Sequence, residues 1–203
     1  MSTNPDAEND LLKRINEAED SSQRAALIDL LEATPANQIC FYERWLRLHQ
    51  PWASECWTDT GYDPSLSAIP RDVQLLAGMC YGKSDIENGG LHQLFANGTG
   101  AMAPEMKQWC ERAGFQKTAN ILAEAIAVFG PEFPRSQNQR DAFLRNYSEQ
   151  AHTRGERDSW NPFRAMDERF YASFDGKFDA AADQWLRDVC GVGSLHDTPE
   201  EAK

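Results

Sequence analysis

Two adjacent glycines inside an otherwise helical pattern constrain this chain more than any other feature: the stretch Tyr81 to Asn97 reads Y-G-K-S-D-I-E-N-G-G-L-H-Q-L-F-A-N. Each Gly in a helix interior costs about 1 kcal/mol relative to Ala, so Gly89 and Gly90 need an offsetting contact. A close helix crossing, where a Cβ would clash, is the favoured reading, and a ligand lying against bare backbone is the alternative. The spacing predicts a capped helix, with Ser84 and Glu87 as a capping box and Asn97-Gly98 as a stop in which Gly takes the left-handed conformation. Ile86, Gly90, Leu91, Leu94 and Phe95 fall on one buried face. Asn88, Gln93 and Asn97 are read as a structural amide network, with partner contact as the alternative.

Apolar periodicity predicts further helices along most of the chain. These are two short ones within 7–32, then Asn37 to His49, Pro70 to Tyr81 with Pro at its first position, Ala103 to Gly114 and Phe115 to Phe129. Gln137 to about His152, Pro162 to Phe174 and Phe178 to Val189 follow. Gln50 to Ile69, with Pro51, Trp52, Trp57, Gly61, Tyr62 and Pro64, reads as a long connection pinned by aromatics. No segment shows convincing strand alternation. The expected fold is all-α, a single-domain orthogonal bundle of about eight to ten helices. Its expected parts are an acidic, solvated arm at 1–35, a core domain at 36–190 with the motif region at 75–144, and a tail at 191–203.

The run from Ser84 to Gly100, S-D-I-E-N-G-G-L-H-Q-L-F-A-N-G-T-G, is followed by A-P-E at Ala103 to Glu105, R-A-G at Arg112 to Gly114 and A-V-F-G at Ala127 to Gly130. With these motifs the chain resembles domain-of-unknown-function family 4375, which includes an acidic DNA-mimic protein of bacteria. The resemblance covers about Leu75 to Leu144, and N-G-G-x-x-Q at Asn88 to Gln93 is its most specific part. It implies a mostly helical fold and a regulatory protein that occupies the DNA-binding surface of another protein.

Charge is compatible with that implication. The 203 residues carry 32 acids against 20 bases, a formal net charge of −12, which argues against direct binding of nucleic acid or anionic membrane. The candidate partner-binding acids are Asp167, Glu168, Asp175, Asp179, Asp183 and Asp188. Asp175, Asp179 and Asp183 recur every fourth residue, about 6 Å apart along a helix axis. Duplex DNA carries one charge per about 1.7 Å, so several acidic elements have to converge before a surface can imitate it. Solvated acidic faces are the commoner explanation of such a stripe.

Catalytic and cofactor signals are weak. The four histidines are scattered without metal-ligand spacing, and the five cysteines form no C-x-x-C pair, so no metal site and no cofactor are expected. Gly82-Lys83-Ser84 copies the end of a phosphate-binding loop but lacks its first Gly, which falls at Ala77. His92 is the first choice of acid or base in an enzyme, although a hydrogen-bonded structural histidine is favoured. The acidic N-terminus has no apolar leader, and a cytoplasmic location with reduced thiols is expected.

The reading is therefore a non-enzymatic regulatory protein that engages a basic DNA-binding protein, such as a transcription factor, through acidic surface. The alternatives are a helical scaffold or dimerisation module with an apolar interface, and an enzyme with a cleft near Asn88, His92 and Gln93.

Overall fold

The computed structural model describes residues 5–34, 39–49, 57–58, 61–63, 69–156, 160–174 and 176–198. Among them are nine α-helices: α1 (Pro5–Glu17), α2 (Ser21–Ala33), α3 (Phe41–His49), α4 (Arg71–Ala96), α5 (Ala103–Arg112), α6 (Gln116–Ala127), α7 (Gln137–Thr153), α8 (Arg164–Tyr171) and α9 (Phe178–Asp188). The chain is all-α, as its periodicity predicts. The connection before α4 also holds a two-residue antiparallel pair, β1 (Trp57–Thr58) with β2 (Gly61–Tyr62), which sequence alternation is too short to reveal. Trp52, and most of that connection, lie outside the described residues.

α4 is the axis of the molecule. Val73, Leu75, Leu76, Met79, Ile86, Leu91, Leu94 and Phe95 are fully buried along its 26 residues. α5, α7, α8 and α9 all pack on it, and α6 packs on α5 and α8. The expected boundary at Ser84 is not there, because the helix runs on from Arg71 through Ser84 and Glu87 without a cap. Glu87 instead accepts from Lys83 Nζ at 2.5 Å, one turn earlier. Pro70 is the residue before the first turn and not its first member. At the other end no left-handed glycine stops the helix: Asn97 is extended (φ −87, ψ 163), and a 3-10 turn (Gly98–Met102) leads directly into α5.

Two buried polar centres lock this turn. Arg140 of α7 is fully buried and donates to the carbonyls of Phe95 at 2.9 Å, Asn97 at 2.8 Å, Pro134 at 3.1 Å and Arg135 at 2.6 Å. It supplies donors to carbonyls that the end of α4 leaves without helical partners, at the negative pole of the helix dipole. Burial pushes its pKa down to about 10, so it stays charged at neutral pH. Glu105 of α5 is also fully buried; it receives both Nη groups of Arg135, at 2.6 and 3.1 Å, and Nη2 of Arg71 at 3.1 Å.

The chain ends differ from expectation. The solvated, frayed arm is instead a packed pair of helices: Leu11, Leu12, Ile15, Leu27, Ile28 and Leu31 join the main core. Glu8 forms a buried ion pair with Arg44 of α3, and Arg44 also donates to Leu31 O at 3.1 Å and Thr34 O at 3.0 Å, capping α2. The described part of the tail is docked as well, with Val192 and Leu195 buried. Trp45 Nε1 donates to Asp197 O at 2.8 Å, and Glu32 accepts from Ser194 Oγ at 2.7 Å and Leu195 N at 2.5 Å.

Candidate functional site

The glycine pair breaks α4. Gly89 has φ −163, ψ 26 and Gly90 φ 74, ψ −175, so the ladder opens and leaves backbone groups without helical partners on both sides. α8 supplies them. Asp167 accepts from Leu91 N at 2.8 Å, and one turn later Tyr171 Oη donates to Ile86 O at 2.7 Å. A Cβ at Gly90 would stand 2.8–2.9 Å from the Asp167 carboxylate, which identifies the close crossing that the glycine permits.

This arrangement carries a test. Gly90→Ala forces a positive φ, in a region nearly exclusive to glycine, against a neighbouring carboxylate. It is expected to destabilise the protein by about 1–3 kcal/mol, read as a lowered urea midpoint. Gly89→Ala, where φ is extended, is the comparison.

The other motif residues divide. Ser84 and Asn88 are exposed, and Gln93 lies over Gly89. The expected network joining Asn88, Gln93 and Asn97 does not form. Asn97 Nδ2 donates to Asp85 Oδ1 at 2.9 Å, and Thr99 Oγ1 donates to the other oxygen of Asp85, so the polar network is built on the 3-10 turn. His92 is held by an edge contact with Trp160 at 4.9 Å, and no hydrogen bond to its ring is present among the described residues. Burial lowers its pKa, partly opposed by Asp167 and Asp141. Tyr171 is 49% exposed, and Trp160, which packs on His92 near the same break, is 48% exposed.

The candidate acids also divide. Asp167 is half-buried and committed to the α4 break, and burial raises its pKa against the Leu91 amide and His92. Glu168 is exposed on α8; Asp188 is exposed on α9 and accepts from Gln184 at 3.3 Å. Asp175 lies outside the described residues. Asp179 and Asp183 come together on α3: Asp183 accepts from Tyr42 N at 2.8 Å, capping the first turn of α3, and Asp179 accepts from Tyr42 Oη at 3.0 Å. Their first function is thus to fasten α9 to α3 across 137 residues of sequence.

A third carboxylate joins them. Burial first, then Asp179, Asp183 and Glu43 of α3, push the Cys40 thiol up to about 11. Glu43 is not among the candidate acids of the sequence; its i,i+4 spacing to Arg47, with which it pairs at 2.5 Å, is that of an ordinary surface pair. Nearby bases are engaged: Lys83 with Glu87, Arg47 with Glu43, and Arg187 over the Phe41 ring at 3.8 Å. Among the described residues Asp179 and Asp183 have no ion-pair partner. This edge can present unneutralised negative charge to a cationic surface. No group of three or more potential metal ligands occurs among the described residues, and no helix there is long and apolar enough to cross a membrane.

No curated protein and no solved structure matches the chain. A protein-family model, described as DMP19-like protein, matches residues 67–189. The match spans α4 to α9, including the glycine break and both of its clamps.

Proposed function

The chain belongs to the DMP19-like protein family, and on that premise we propose that it is a non-enzymatic regulatory protein of the DNA-mimic kind, directed at a basic DNA-binding protein such as a transcription factor. The observation that carries this reading is that Asp179 and Asp183 of α9 both accept from Tyr42 of α3, next to Glu43, so that carboxylates from two helices far apart in the chain share one edge. Three charges are few against a duplex, so the interface has to draw on further exposed acids of the surface. The encounter is steered by charge and weakens as salt screens it.

Competition gel shifts test the reading. At low salt the protein is expected to release DNA from its basic partner, with the effect fading as salt rises. Glu43→Gln, Asp179→Asn and Asp183→Asn, combined, keep side-chain acceptors for Tyr42 while removing charge. They are expected to weaken displacement by roughly tenfold, equivalent to about 1.4 kcal/mol. Failure of the wild-type protein to displace DNA from any of a panel of basic DNA-binding proteins at low salt overturns the proposal.

A further inference from the structure

We propose that the groove bounded by α3, α4 and α9 receives an arginine side chain presented by the basic partner. The inference rests on the proposed function, which supplies a cationic partner, and goes beyond it by naming the group captured and the place. The groove encloses about 410 Å³, and its lining includes Tyr42, Tyr81, Lys83, Glu87, Phe178 and Asp179.

Three observations point to a planar cation. First, the groove's acids outnumber its bases: Glu43, Glu87 and Asp179 face Arg47 and Lys83, and each base is already held by a carboxylate one turn away on its own helix. Asp179 accepts from the Tyr42 hydroxyl at 3.0 Å and has no ion-pair partner among the described residues. Second, Tyr81, which lines the groove, has a buried Oη with no hydrogen-bond partner among the described residues, an acceptor that a guanidinium N–H can satisfy. Third, the walls are aromatic: Tyr42 and Phe178 meet edge to face at 5.8 Å.

A cation already rests on these walls: Lys83 Nζ lies 4.9 Å from the centre of the Phe178 ring. A guanidinium is favoured over an ammonium because it is flat, more weakly hydrated and carries five donors. It can stack on a ring and bind a carboxylate in the same pose.

The test is a titration of the full chain, followed by NMR, with Nα-acetyl-arginine methylamide as probe and its neutral citrulline analogue as control. The arginine probe is expected to give saturable shifts at Tyr42, Tyr81 and Lys83 in the millimolar range, with the citrulline probe about tenfold weaker. Asp179→Asn retains an acceptor for Tyr42 Oη and is expected to weaken arginine binding by about fivefold or more. Tyr81→Phe removes only the unpaired hydroxyl and is expected to weaken it severalfold while leaving the fold intact. Shifts that do not saturate, that are equal for citrulline, or that persist unchanged in Asp179→Asn overturn the inference. If DNA displacement proceeds without arginine capture, the groove inference fails and the acidic-face reading stands. Arginine capture without displacement of DNA counts against the proposed function and leaves the chemistry of the groove standing.

Discussion

Replacing Arg140 with Met is expected to destabilise the protein by about 3–5 kcal/mol, seen as a fall in thermal midpoint of about 10 °C. The methylene stem of Arg140 fills space that Met can fill, so lost packing accounts for little of the effect. What is lost is the set of donors. The carbonyls of Phe95, Asn97, Pro134 and Arg135 converge on one guanidinium from the end of α4 and the strand of chain before α7. Without it they converge with too few donors, the Asn97 carbonyl keeping only Gly100 N, and acceptors left unpaired out of water carry their desolvation penalty. Arg140→Lys keeps the charge but only one nitrogen, and cannot reach all of them, so it is expected to recover only part of the stability. Full recovery by Lys, in urea unfolding, argues that charge and not donor geometry holds the turn.

Glu105→Gln is expected to cost about 2–4 kcal/mol. Among the described residues the carboxylate is the only group that Arg135 and Arg71 both grip, with the Arg135 fork bidentate at 2.6 and 3.1 Å. Removing the charge leaves two guanidiniums directed at one neutral amide, and like charges brought close repel. Both arginines are partly exposed, which lets water moderate the loss and sets the estimate below that for a wholly enclosed pair. Combining Glu105→Gln with Arg135→Met removes one of the two stranded cations. The double variant is therefore expected to be more stable than the sum of the single effects predicts, by about 1 kcal/mol or more in a double-mutant cycle. Strict additivity would mean that Glu105 acts through packing alone.

These two centres also show where sequence reading stops. Arg140 and Arg135 sit in polar stretches that read as ordinary surface, and nothing in their spacing indicates that one collects backbone carbonyls and the other a buried carboxylate. The A-P-E motif was visible as a helix start, but the burial of Glu105 was not, because it follows from where Arg135 and Arg71 arrive. Ser84 and Glu87 have the spacing of a capping box, yet the residues before them already form helix, and an uninterrupted ladder leaves no orphan amides at Ser84 for a box to satisfy. Gly89 and Gly90 were legible as an exception that needed a close neighbour. The identity of that neighbour, Asp167, 76 residues further on, was not.

The acidic site divides in the same way. Regular spacing singled out Asp179 and Asp183, and these two meet on α3, whereas Asp167 has the same sequence character and is turned inward to the break in α4. Glu43 entered only through the packing of α3 against α9.

By itself the amino-acid sequence determined the helices and their buried faces, because apolar side chains at intervals of three and four place one face out of water whatever the helix packs against. It also determined the excess of negative charge and the glycine pair at which the central helix needs a close neighbour. The tertiary structure alone decided which polar groups are buried, what closes the break, and which carboxylates share an edge. Those outcomes depend on pairs such as Tyr42 and Asp183, 141 positions apart, and a burial cost or a Coulomb energy depends on distance in space, which local periodicity does not encode.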